Sequence, residues 1–299
     1  MYTTFYGLSR PPFELTPDPE FYFQTPFHNE GLANLCYGVQ QRKGFIVLTG
    51  EVGTGKTLLV NRLMNWLAGK EIRFSHISAP RLTSLEFLQY VLTDLGIPSV
   101  FSLSKAQLLL QLNAFLIGVH RMGSTTVLIV DEAHLLDWDV LEELRLLTNL
   151  ETASHKLLQI ILTGQPELDL KLDSRDLRQL KQRIALRCRL KPLTREQTAD
   201  YITERLRHAG AKWKIFPDPT VARIHEYAQG IPRLINTVCD SALISGCAQQ
   251  LRFIPPECVD ETAEDFRLHC GPLDDARDAS SSTIHPVPGD LQKFRNTAS

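Results

Sequence analysis

The segment Gly50-Glu51-Val52-Gly53-Thr54-Gly55-Lys56-Thr57 constrains this chain more than any other feature. It matches the pattern G-x-x-x-x-G-K-[ST] in full, and its surroundings match too. An uninterrupted apolar run, Phe45–Thr49, precedes it and an apolar-periodic run, Lys56–Leu67, follows. Glycines let a backbone curl until consecutive N–H groups converge on phosphate oxygens, and a helix opening at Lys56 adds its positive end. The stretch from Gly50 through Leu58 is therefore assigned to phosphate binding. Within it, Lys56 is expected to reach β- and γ-phosphates and Thr57 to place its hydroxyl on Mg²⁺, which makes ATP and Mg²⁺ the implied cofactors.

A chain with a strand–loop–helix unit of this kind needs a parallel sheet covered on both faces. Further short apolar runs at 72–78, 125–130 and 157–163 read as strands, with a last one near 187–190. The intervening stretches 83–95, 104–120 and 140–150 have helical periodicity. After Pro192 the pattern turns wholly helical, at 195–208, 218–229 and 233–247. The fold expected is α/β: a three-layer P-loop NTPase core over 41–191 followed by a small all-helical lid over 192–268. Residues 1–28 are rich in proline and aromatics, so they are expected to run extended across the core, with a helix over 29–42 completing that segment. From 269 to 299 the composition turns to Asp, Ser and Pro, as in a disordered tail.

Val127-Leu-Ile-Val-Asp131-Glu132 ends the third strand in two carboxylates. Open α/β sheets bind ligands at the C-terminal ends of their strands, so Asp131 is expected to hold Mg²⁺ through a water and Glu132 to orient and polarise the attacking water. This places the strand entering Gly50 and the strand ending at Asp131 side by side. His134, in Asp131-Glu-Ala-His134, reads as a local packing or hydrogen-bonding residue. At the end of the fourth strand, Thr163 or Gln165 falls within reach of the γ-phosphate. The segment 175–195 carries eight cations; Arg183 is the first candidate for an arginine finger presented to a neighbouring subunit, and Arg178 the second. Arg233, in Gly230-Ile-Pro-Arg233, begins a helix in the second domain and is expected to fold over the nucleotide.

The formal net charge of −2 excludes a global field that recruits nucleic acid or anionic membrane, though not a local basic patch. Six scattered cysteines without a C-x-x-C pair argue for reduced thiols and against zinc. The N-terminal residues have neither a basic nor an apolar leader pattern, and no window approaches the roughly 18 apolar residues of a membrane helix.

In this order the motifs resemble those of AAA+ ATPases. Phe5-Tyr-Gly-Leu, Pro12-Phe-Glu-Leu-Thr-Pro-Asp-Pro19, Leu48–Thr57, Leu147-Thr-Asn-Leu-Glu151, Gly164-Gln-Pro-Glu-Leu168, Gln182-Arg-Ile184 and Gly230-Ile-Pro-Arg-Leu-Ile-Asn236 resemble the ExeA/GspA-type general secretion family, MshM-like proteins included. The resemblance implies a cytoplasmic ATPase, peripheral at the inner membrane through a partner. It would form homo-oligomers and support assembly of a secretion, type IV pilus or exopolysaccharide-export machine. It supports the roles of Lys56, Thr57, Asp131, Glu132, Arg183 and Arg233, and adds His28 and Pro12–Pro19 as lining of the adenine site. Longer members continue into a membrane helix and a peptidoglycan-binding domain, so a short form is expected. The alternative is an ATP-gated DNA-binding switch of the transposition-helper type, with 175–195 on phosphates.

Overall fold

The computed structural model describes residues 1–14, 23, 25–78, 81–98 and 102–269 of the 299-residue chain. Five parallel strands form one sheet: β1 (Phe45–Gly50), β2 (Arg73–Ile77), β3 (Thr126–Val130), β4 (Leu158–Gly164) and β5 (Leu186–Leu190). Their order is β2-β3-β4-β1-β5. Side chains leave a strand alternately to its two faces. Accordingly Phe45, Val47, Leu128, Val130, Ile160 and Leu162 enter one apolar cluster, while Ile46, Leu48, Val127, Ile129 and Ile161 enter another. Helices α2 (Pro26–Gln40) and α3 (Lys56–Gly69) cover the second face through Leu35, Val39, Leu59 and Leu63. Helices α4 (Ser84–Asp94), α5 (Lys105–Arg121), α6 (Trp138–Leu147), α7 (Pro166–Leu172) and α8 (Arg178–Lys181) cover the first. The α/β class and parallel sheet read from the sequence are those observed.

One expectation is corrected. β1 and β3 are not neighbours, because β4 lies between them, with Phe45 beside Ile160 and Thr126 beside Leu158. All seven residues of β4 are buried, so this strand needs partners on both edges as well as cover on both faces. The two edge strands carry the exposed positions instead: Arg73 on β2, and Arg187 and Arg189 on β5. Of the two polar side chains buried within β4, Gln159 and Thr163, the first is matched to this place. Gln159 Oε1 accepts the Gly44 N–H at 2.7 Å, just ahead of β1, and its Nε2 donates to Lys156 O at 3.1 Å.

The helical remainder consists of α9 (Arg195–His208), α10 (Asp218–Ala228), α11 (Pro232–Ala248) and α12 (Pro256–Asp265). The last was not anticipated, and neither were α7 and α8. The N-terminus also departs from the extended course expected. Its first six residues hold no proline, and Tyr2–Tyr6 form the short helix α1. Tyr6, Leu8 and Phe13 are buried among Ile202, Val238 and Val259 of the C-terminal helices and Phe216 of the connection between α9 and α10, not against the sheet. Tyr6 Oη donates to Leu251 O at 3.0 Å and Ser9 N–H to Ala209 O at 2.8 Å. Residues 15–22 of the proline-rich stretch and the tail from 270 lie outside the described residues.

The two parts join at a turn. Leu193 N–H donates to Gly230 O at 2.8 Å, and Gly230 has φ of +73°. A Cβ there would lie 2.0 Å from Leu193 O, so both the backbone conformation and the space demand glycine. Gly230→Ala is expected to lower stability by at least about 2 kcal/mol in denaturant titration. Gly69→Ala, at the end of α3 where a Cβ meets nothing within 4 Å, is the control and should leave stability unchanged or raised.

Candidate active site

Parallel strands end on one edge of the sheet, and there the sequence motifs meet. β1 passes into the loop at Gly50, α3 opens at Lys56, β3 ends at Val130 just before Asp131, and β4 ends at Gly164. Thr57 Oγ1 donates to Asp131 Oδ2 at 3.4 Å. The other carboxylate oxygen, Oδ1, accepts the Thr163 hydroxyl and, at 2.9 Å, the Glu132 N–H. The inserted strand thus delivers Thr163 to Asp131, which the loop reaches from the other side. Thr163 or Gln165 was expected within reach of the γ-phosphate; the Thr163 hydroxyl holds the Asp131 carboxylate.

Lys56 is buried, and its Nζ donates to Gly50 O at 2.8 Å and Glu51 O at 3.0 Å. Burial pushes its pKa below the ordinary lysine value, while Glu132, Asp131, Glu51 and Glu167 act in the opposite sense. The ammonium therefore faces several carboxylates across a small space, an arrangement suited to a polyanion bound with a cation. Glu132 sits in the left-handed region at φ +50°, and its Oε2 is buried without a hydrogen bond. His134 Nδ1 is 3.4 Å away but lacks hydrogen-bonding geometry. A buried carboxylate oxygen left in this state fits a partner that is not part of the chain.

A cleft of about 390 Å³ opens above the loop, walled by His28, Val52–Leu58 and Glu132 on one side and by Leu193, Tyr201, Arg205, Arg233 and Asn236 on the other. Arg233 is brought directly over the loop: its N–H approaches Gly53 O at 3.4 Å. A Cβ on Gly53 would meet the Arg233 Cβ at 2.6 Å, so the helical part closes onto the loop where side chains are absent. Tyr201 Oη donates to Asn236 Oδ1 at 2.8 Å, Arg205 lies over the Tyr201 ring at 5.1 Å, and Phe23 meets that ring edge-on. Sequence reasoning missed Tyr201, Arg205 and Phe23. The first two are four apart on α9, and nothing in that spacing separates a ligand wall from an ordinary helix face.

Two candidates stay apart from this cleft. Gln165 stands at the N-cap position of α7 without a side-chain cap bond and is half-buried, without lining the cleft. Arg183 is exposed and precedes β5, whose first residue, Leu186, pairs with Ile46 at the start of β1. Both Arg183 and Arg178 of α8 are therefore near the edge from which strands depart, away from this chain's own loop. In the basic run, Lys181 and Arg187 are ion-paired with Asp173, and Arg187 also with Asp169. Asp169 in turn accepts the Thr49 hydroxyl at 2.7 Å, a link between α7 and the base of the loop that was not anticipated.

A family model described as an AAA domain matches residues 39–172. Over 257 residues the chain is 43% identical to General secretion pathway protein A of Aeromonas hydrophila, which covers 83% of this chain and 45% of that protein. The chain belongs to the AAA family, in its general secretion pathway protein A branch. It spans less than half the length of that relative. Among solved structures, Cdc6p from Pyrobaculum aerophilum superposes with a TM-score of 0.65 at 19% identity, over 85% of this chain and 70% of that one. The Thermotoga maritima RuvB branch-migration motor gives 0.52 at 18% identity, over 85% and 72%. At such identities the likeness is one of fold. Among the described residues no helix is long and apolar enough to cross a membrane.

In this AAA protein the phosphate loop has a support from outside the P-loop motif. Thr25 caps α2, its Oγ1 accepting the His28 N–H at 3.1 Å, and lies 2.6 Å from His28 Nδ1. His28 Nε2 is 2.9 Å from Thr54 O. A carbonyl only accepts, so Nε2 carries a proton and the neutral ring takes the Thr25 hydroxyl on Nδ1. Burial pushes the His28 pKa below its ordinary value of 6.5. The unfolded chain then binds the proton more readily, so this contribution is fully present above the unfolded value and is lost as pH falls below it. Thermal unfolding between pH 7.5 and 5.5 should show Tm falling with acidification. In His28→Gln that slope should be shallower, and equal slopes in the two proteins would remove His28 as its source.

Proposed function

We propose that the chain binds ATP with Mg²⁺ and hydrolyses it to ADP and phosphate. The observation that carries the reading is the convergence of Thr57, Thr163 and the Glu132 N–H on one carboxylate, Asp131, beside the buried Lys56. Thr57 and Asp131 are the residues to hold the metal, which when bound neutralises charge between the phosphate oxygens. Lys56 exchanges its two loop carbonyls for the β- and γ-phosphates. Glu132 orients and polarises the attacking water from its left-handed perch. With Thr163 engaged by Asp131, Gln165 is the better candidate to read the γ-phosphate from the neighbouring strand end. Residues 192–268 act as the lid over the 41–191 core, and Arg233 couples its position to the nucleotide.

Arg183 belongs to a second copy's site in this reading. Its position at the strand-start edge, away from its own loop, suits a finger that works only in a homo-oligomer. At the cellular scale, the similarity to General secretion pathway protein A supports a cytoplasmic ATPase that assists assembly of a bacterial envelope machine for secretion, type IV pili or exopolysaccharide export. The DNA-switch alternative loses ground because Lys181 and Arg187, central to the basic run, are already neutralised by Asp173 and Asp169.

Glu132→Gln should retain ATP binding in a fluorescent-nucleotide titration and slow phosphate release at least about 100-fold; turnover at the parental rate would sink the assignment. Lys56→Ala should lose the binding itself. Mixing Arg183→Ala with Lys56→Ala subunits should recover part of the activity if sites are completed between copies. Intact mixed oligomers without recovery would place the arginine elsewhere.

A further inference from the structure

All five strands run the same way, so the loops that enter them share the edge opposite the nucleotide loops. Helices α2, α3 and α5 also end there, at Gln40, Gly69 and Arg121. Arg42 ties two of these ends together, its Nη2 donating to Gly123 O at 2.9 Å and Ser124 O at 3.0 Å. Around that tie stand four exposed cations, Lys43, Lys70, Arg73 and Arg121, against one exposed acid, Glu71. On the loops that enter β4 and β5, Lys156 and Glu151 pair with each other, and Arg183 adds a further exposed cation. A chain of net charge −2 thus concentrates positive charge on one edge.

Cations suit the C-terminal carbonyls of helices, and that accounts for part of the pattern. It gives no reason for the apolar groups set among them. Met122 is 77% exposed and borders both shallow grooves of this edge, one shared with Arg73 and the other with Lys70. Tyr37 is 49% exposed, with Lys43 Nζ 5.8 Å from its ring centre. Cations surrounding protruding apolar side chains make the composition of a surface that lies in a lipid interface. A phosphodiester backbone takes the cations but gains nothing from the methionine. The entering loops, 41–44, 70–72 and 122–125, are also too short to project an element into a nucleic-acid groove.

We propose that this edge docks on an anionic phospholipid bilayer. Lys43, Lys70, Arg73 and Arg121 meet lipid phosphates, and Met122 and Tyr37 enter the headgroup layer. The strands separate this edge from the cleft by about 16 Å, the rise of five residues, so the docked protein keeps its nucleotide site open to solvent. This inference is independent of whether ATP is hydrolysed.

Flotation of the full 299-residue chain with vesicles tests it. Binding to phosphatidylcholine vesicles containing 30% phosphatidylglycerol, absence from pure phosphatidylcholine, and release by 0.5 M salt are expected. The Lys70→Glu/Arg73→Glu/Arg121→Glu variant should lose at least about 100-fold in partition, at about fivefold per removed charge. Met122→Ser should weaken partition several-fold while leaving the salt dependence in place. Nucleotide binding and Tm of both variants serve as folding controls, since none of these residues touches the cleft. No binding to anionic vesicles, or undiminished binding by the triple variant, overturns the proposal. So does binding of duplex DNA that exceeds vesicle binding and disappears with the same three substitutions.

Discussion

The double pairing of β4, with β3 on one edge and β1 on the other, is the constraint on which the site depends. It sets the phosphate loop and Asp131 one strand apart instead of adjacent, and it fills that gap with Thr163. An aspartate left alone at a strand end would be a solvated carboxylate. Here three donors from three segments hold it toward Thr57. The geometry follows from burial: a strand buried at every position is placed in the middle of a sheet, and the strands with exposed charges go to its edges.

The loop is likewise held from more than one direction. His28, fixed by the Thr25 cap, supports the Thr54 carbonyl from α2, while Arg233 approaches Gly53 from the helical part. Asp169 of α7 reaches the base of the loop through Thr49. A glycine-rich loop has high conformational entropy, so contacts that order it ahead of ligand lower the cost of binding. All three come from helices outside the sheet, which makes loop geometry sensitive to where the lid, α7 and the α2 segment sit.

The sheet also divides the surface chemically. Carboxylates and Lys56 gather where strands end, while unpaired cations with Met122 and Tyr37 gather where they begin. A protein whose formal charge is close to neutral therefore has two unlike ends, and the parallel direction of every strand is what sorts them.

Much of this was legible without coordinates. The P-loop pattern between an apolar strand and an amphipathic helix, the strand ending in Asp131-Glu132, and the switch to wholly helical periodicity after Pro192 depend on local spacing alone. Strand and helix limits came close for the same reason. The strand order did not, because apolar runs of equal length carry no label for their neighbours. Nor did the engagement of Thr163 with Asp131, the packing of Tyr6 and Phe13 into the far helices, or the Tyr201–Arg205 wall. These join residues distant in the chain, and only the burial of shared surface brings them together. Sequence by itself determined which chemical groups the site contains; the tertiary structure decided which of them touch.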